Sequence, residues 1–197
     1  MKRHVLALGV ALVVLSGGAT AHARKPQVVD PDGDAMTREA AYDVTSATFD
    51  SVRQAVRGRT NVRMRLTLTL GGPVSTAPGH VYAVTARYGT CTLYVEQAYY
   101  TTGPYPFWFT YCGASPNVQD TSSATGPLGV PQVAGNTVTW QVWLKGLPPQ
   151  VKVGTKLTNL GAFTSLHDEY RGYTPAEVIP ETAIDLATSN ATYVVGH

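Results

Sequence analysis

The chain has 197 residues, of which 44% are hydrophobic and only 14% charged, with 19 glycines and 13 prolines. That composition excludes a disordered chain and a long coiled coil, and the length supports one domain with a sizeable core. The formal charge of +2 is accounted for by Lys2 and Arg3; from residue 24 onward basic and acidic side chains are equal in number. A dedicated nucleic-acid binder, which needs many unpaired cations facing phosphates, is excluded on that balance.

Taken in chain order, residues 1–23 read as a secretory signal. Lys2 and Arg3 form a cationic start, Val5 to Leu15 an apolar run, and Ala21-His22-Ala23 a small-x-small cleavage site before Arg24. The run is too short for a comfortable membrane span, nothing later replaces it, and no lipobox cysteine follows. The expectation is a secreted chain whose residues 24–197 form a single domain. Arg outnumbers Lys two to one and Ile is nearly absent, a usage that points to a GC-rich bacterial genome.

Residues 24–35 are a polar lead-in. Beyond them the pattern is period two, with almost no helical stripe. In 61–70, Val62, Met64, Leu66, Leu68 and Leu70 share one face, while Asn61, Arg63, Arg65, Thr67 and Thr69 share the other. This is the alternation of a sheet with one wet side. Residues 137–145 repeat it, with Trp140 facing in and Trp143 facing out. Further strands are expected at 43–56, 80–88, 91–100, 107–112, 157–164 and 192–195. Gly58 marks a hairpin before 61–70, and Gly135-Asn136 a turn before 137–145. The segments 114–134 and 165–182 read as long loops, and the prolines as lying between or outside the strands. Seven or eight short antiparallel strands predict an all-β, two-sheet sandwich of jelly-roll or Ig-like type. An up-and-down barrel is the alternative.

The only two cysteines are Cys91 and Cys112. If 91–100 and 107–112 form a hairpin centred between Thr101 and Thr102, opposed positions sum to 203. Cys91 then faces Cys112, Leu93 faces Thr110 and Val95 faces Trp108. A cross-strand disulfide there would stabilise by roughly 3 kcal/mol in the chain-entropy model. A catalytic thiol or a metal pair are the rival readings.

The densest acidic feature is Asp30-Pro31-Asp32-Gly33-Asp34, followed by Asp43. Hard oxygen ligands on a turn suit Ca²⁺, with Asp185 as a distant ligand. The spacing is not that of an EF-hand, since Gly33 is fourth and Ala41 twelfth. A solvated acidic turn is the plainer reading of the same residues. The aromatic hairpin, with Tyr100, Tyr105 and Trp108, and the outward Trp143 are candidates for stacking on sugars or seating a partner. Core and cross-strand packing would use the same residue types. Arg53, Arg57, Arg59, Arg63 and Arg65 suit either an anionic ligand or a solvated face. His80 reads as a satisfied core or rim histidine, and His167-Asp168-Glu169 lacks a second spaced ligand. No hydrolase, Walker or dinucleotide fingerprint occurs, which argues against an enzyme.

The turn Asp-Pro-x-Gly-Asp followed by Tyr42-Asp43-Val44-Thr45-Ser46-Ala47 resembles the opening of many exported bacterial sandwich domains. Gly135-Asn136-Thr137-Val138-Thr139-Trp140 resembles their late-strand motif, and Asp185-Leu186-Ala187 to Tyr193-Val194-Val195-Gly196 their closing segment. In these features the chain is similar to the superfamily that includes DOMON domains and family-nine carbohydrate-binding modules. The resemblance implies a two-sheet sandwich with its N- and C-terminal segments side by side, and Ca²⁺ ligation at Asp30, Asp34, Asp43 and Asp185. Haem is not carried over, because Met36 and Met64 lack a matching axial partner.

The resulting expectation is a secreted, noncatalytic binding or accessory domain of the extracellular or cell-wall space. Its expected partners are a polysaccharide or an exported protein, contacted through Trp143, Trp108, Tyr100 and Tyr105. A structural or protein-interaction domain is the alternative, and a secreted hydrolase the third reading.

Overall fold

The computed structural model describes residues 25–31, 33–37, 39–56, 59–112, 124–127, 130–144, 147, 151–166 and 183–196. The expected signal segment, Asp32, Arg57 and His167-Asp168-Glu169 lie outside them. Twelve strands are described: β1 (Val28–Val29), β2 (Val44–Val56), β3 (Arg59–Leu70), β4 (His80–Tyr88), β5 (Cys91–Tyr100), β6 (Gly103–Cys112), β7 (Ala124–Pro127), β8 (Gln132–Ala134), β9 (Thr137–Trp143), β10 (Lys156–Leu166), β11 (Ala183–Ser189) and β12 (Tyr193–Val194).

Alternating apolar residues on β2, β3 and β9 give the first sheet one dry side. Its strand order is β1-β2-β3-β9-β8; the second runs β11-β10-β4-β5-β6-β7, with β12 paired to the start of β10. Every pairing is antiparallel. The sheets stay open and do not close on each other, so the fold is a sandwich and the barrel alternative falls.

Between the sheets lies one core. Phe49, Met64, Leu66, Leu68, Val138 and Trp140 come from the first sheet, and Tyr82, Val84, Leu93, Val95, Leu160 and Ala162 from the second. Each such large side chain contributes about 1.5–3 kcal/mol by leaving water. Cys91 and Cys112 face each other and are disulfide-bonded, and Leu93/Thr110 and Val95/Trp108 follow in the expected register. Both sulfurs belong to the inter-sheet core.

Four strands were not expected. The polar lead-in contains β1, which adds to the edge of β2 through Val28↔Ala47 and Val29↔Ser46. The long 114–134 loop contains β7 and β8, four and three residues long, on the open edges of β6 and β9. β11 follows the second expected loop; its inward Asp185 interrupts the apolar alternation that would have marked it. β6 begins at Gly103, so Pro104 and Pro106 lie inside a strand. That is tolerated because β7 reaches β6 only at Phe107–Thr110, leaving the proline-bearing stretch as an edge.

Candidate binding face and acidic cluster

Where β1, the lead into β2 and β11 meet, the two ends of the described chain lie side by side. Met36 N–H donates to the Ile184 carbonyl (3.0 Å), and Val44 N–H to Asp185 Oδ2 (2.5 Å). Thr164 Oγ1 reaches the Tyr42 carbonyl at 2.6 Å, tying the same corner to β10. Gly33, at φ +86°, takes the left-handed turn that a side chain would strain, and its N–H donates to both carboxylate oxygens of Asp43 (3.0 and 2.9 Å).

This corner brings together three of the four expected acidic ligands. One oxygen each from Asp30, Asp34 and Asp185 lies within 4.8 Å of the others. Oxygens bound to one Ca²⁺ at 2.3–2.6 Å can be no more than about 5 Å apart, so the spacing suits a shared cation. Asp30 Oδ2 is buried and meets no hydrogen-bond donor among the described residues. Burial, and then the neighbouring Asp34, Asp185 and Asp43, push the Asp30 carboxyl up to about 6. Asp185, with only 8% of its surface exposed, is likewise raised by burial, partly offset by the Val44 N–H. Three converging carboxylates with one orphaned oxygen repel each other unless a proton or cation joins them. Asp43 is held apart from this trio by the Gly33 amide and anchors the turn.

The other candidate site is the outward side of the first sheet. On β2, β3 and β9, Ser46, Thr69 and Thr137 form one cross-strand row, and Thr48, Thr67 and Thr139 the next. The Thr67 and Thr139 hydroxyls are 3.2 Å apart. A third row holds Asp50, Arg65 and Gln141, and a fourth Val52, Arg63 and Trp143. Asp50 and Arg65 form an ion pair at 2.5 Å. Trp143 is 45% exposed, and the Arg63 guanidinium lies 3.5 Å above its ring. Arg63 Nη1 donates to Gln141 Oε1 at 3.1 Å.

The four expected ligand-contact residues do not share a surface. Trp143 is on the first sheet's open face. Trp108 is half-buried and packs against the inter-sheet core. Tyr100 and Tyr105 make an edge-to-face pair, centroids 6.1 Å apart, near the tip of the β5–β6 hairpin, where Tyr105 is 58% exposed. Phe107 and Phe109 are buried in a second small core with Ala83 and Phe163. The arginine cluster also divides. Arg53 donates to the Gly196 carbonyl (2.8 Å), Arg65 pairs with Asp50, and Arg63 covers Trp143. The Arg63–Trp143 pairing was missed, although it follows once β3 and β9 are set side by side with both residues facing out. His80 is buried, stacks on Tyr42 (4.7 Å) and bonds through Nδ1 to the Ala77 carbonyl, the satisfied rim histidine expected.

No family model matches this chain, and no curated protein or solved structure does either.

Proposed function

We propose that this chain is an exported, noncatalytic binding domain of the extracellular or cell-wall space, which takes a glycan on the open face of its first sheet. The observation that carries the reading is Trp143: a large ring left half in water next to Arg63 and Gln141, on a sheet face whose further rows carry hydroxyls. Sugars present apolar C–H faces and hydroxyl rims, and such a surface offers partners for both. A lone exposed tryptophan with no hydrogen-bonding neighbours would carry less.

Ca²⁺ belongs to the same proposal as a structural ion at Asp30, Asp34 and Asp185. It would neutralise the three carboxylates and lock β11 against the lead into β2, leaving the chemistry of the open face untouched. The likeness of the acidic turn and closing segment to DOMON and family-nine carbohydrate-binding domains supports both halves of the reading.

The test is retention on insoluble and soluble polysaccharides by pull-down and affinity electrophoresis. Trp143→Ala should lose retention by about tenfold or more while its thermal midpoint stays near that of the parent, because the residue is not in the core. Trp108→Ala should instead lower the midpoint. Retention unchanged by Trp143→Ala would sink the glycan reading.

A protein-interaction role has one observation in its favour. β8 pairs with β9 on one side only, and Val130 and Val133 beside it are exposed. Such an edge accepts an added strand. Capture of an exported protein that is lost with Val133→Pro, with no polysaccharide retained, would favour it.

A further inference from the structure

We infer that the ligand of the open face is an anionic glycan, a polysaccharide bearing uronate carboxylates, and that Arg63 is the residue that reads its charge. The inference rests on the glycan reading of that face and specifies its substrate class.

Arg63 and Arg65 both stand on this face, and the structure treats them differently. Arg65 is neutralised by Asp50. Arg63 has no acidic partner among the described residues: its contacts are the Trp143 ring and the Gln141 side-chain oxygen. Its Nε is buried without an acceptor, so the charge is only partly compensated by the protein. Stacking on the ring fixes the guanidinium plane, which removes much of the freedom that a surface arginine would lose on binding.

With Nη1 committed to Gln141 Oε1, Nη2 is engaged by nothing among the described residues. Gln141 is exposed, and because its oxygen accepts from Arg63, its amide nitrogen remains a donor. The Nη2 amine, on a guanidinium held flat against the ring, offers a charge-assisted hydrogen bond to a carboxylate oxygen, stronger than one to a neutral sugar hydroxyl. A neutral sugar would leave the Arg63 charge unanswered. The adjoining Trp143 edge and the hydroxyl rows of Thr67 and Thr139 remain for the rest of the polymer.

The experiment is affinity electrophoresis or calorimetric titration of the oxidised, full domain with polygalacturonate and with its carboxyl-reduced, neutral counterpart. The parent should bind the polyuronate about tenfold more tightly than the reduced polymer, with an advantage that shrinks as salt is raised. Arg63→Gln should remove that advantage, bringing the affinity ratio of polyuronate to reduced polymer from about tenfold down to about one. Arg63→Lys keeps the charge but loses the flat fork, and should recover only part of it. Melting curves of both variants check that the sheet is intact.

Equal binding of the two polymers by the parent, or full polyuronate binding by a folded Arg63→Gln variant, overturns this inference and leaves the glycan reading standing. Retention of neither polymer overturns the inference, and a parallel failure on every neutral polysaccharide overturns the glycan reading as well. A phosphodiester-bearing polymer, run alongside, must bind more weakly than the polyuronate. The reverse order would overturn the carboxylate assignment.

Discussion

The outward sides of the two sheets differ in kind. On the first, Ser46, Thr48, Thr67, Thr69, Thr137 and Thr139 stand half in water over a dry inner face. On the second, many of the outward positions are themselves interior: Val81, Ala83 and Ala98 are completely buried, Phe163 is 1% exposed, and even Glu96 is inaccessible. Tyr94 and Phe109 stack at 4.4 Å with nearly parallel rings on the same side. One sheet thus has a core face and an open polar face, while the other is buried over much of both. The difference bears directly on function. Aromatic residues crowded on β5 and β6 look like a binding surface in the sequence, yet Tyr94, Tyr99, Phe107, Trp108 and Phe109 pack in or against the two cores. Trp143, half exposed on the open face under the Arg63 guanidinium, is the aromatic residue the proposal rests on.

The largest effect that would sharpen this contrast is alkaline unfolding. Strand tyrosines whose ionisation burial opposes are all on the second sheet, with Tyr42 stacked at its rim. Burial raises Tyr42 and Tyr88 to about 12, and Tyr82 and Tyr99 are also raised. A raised phenol favours the fold while neutral. That stability is fully present below pH 10, the unfolded value, and is lost as pH rises through the folded value near 12. The denaturation midpoint, followed by near-ultraviolet circular dichroism and tyrosinate absorbance, should fall steeply between pH 10 and 12. Loss of structure should coincide with the appearance of tyrosinate. Tyrosinate appearing well before any structural change would mean that the second sheet tolerates the charge and is wetter than its burial indicates.

Next in size is a pair of truncations, one on each outward side. Phe163→Ala should cost about 3–5 kcal/mol, because it removes a ring from the second core and leaves a cavity. Thr139→Ala, on the open face, should stay within about 0.5 kcal/mol. Urea titrations of both variants measure the two values, and similar costs would erase the distinction between the sheets.

The same distinction governs what could be read in advance. β3 and β9 were legible because one wet side enforces strict alternation, and the disulfide register followed from hairpin symmetry about Thr101 and Thr102. The second sheet gives a weaker signal, since Ala83, Glu96, Ala98 and Ser165 occupy outward yet buried positions that residue type does not announce. β11 escaped because Asp185 stands where alternation demands an apolar residue. A pattern broken by a buried acid is what a site imposes on a strand. In the acidic cluster, the residue types and the meeting of Asp185 with Asp30 and Asp34 were anticipated, through the family resemblance and not the spacing, whereas the separation of Asp43 was not. Nothing in the spacing says that Asp43 binds the Gly33 amide while Asp185, distant in sequence, joins Asp30 and Asp34.

That cluster supplies the smallest of the three effects and the one with the clearest change of sign. With calcium at about a hundred times its dissociation constant, the folded state should gain roughly 2.7 kcal/mol, which at this chain length moves the thermal midpoint by about 5–11 °C. In EDTA the same carboxylates only repel. Asp30→Asn should therefore raise the midpoint in EDTA, by about 2 °C after allowing for solvent screening, and abolish the calcium shift. A substitution that stabilises without the ion and destabilises with it cannot be explained by packing, because packing does not know whether calcium is present. Asp43→Ala should behave differently: it frees the Gly33 amide, loosens the turn and lowers the midpoint in both conditions. Identical melts of the parent in EDTA and calcium, with Asp30→Asn indistinguishable from it, would reduce the trio to a solvated turn.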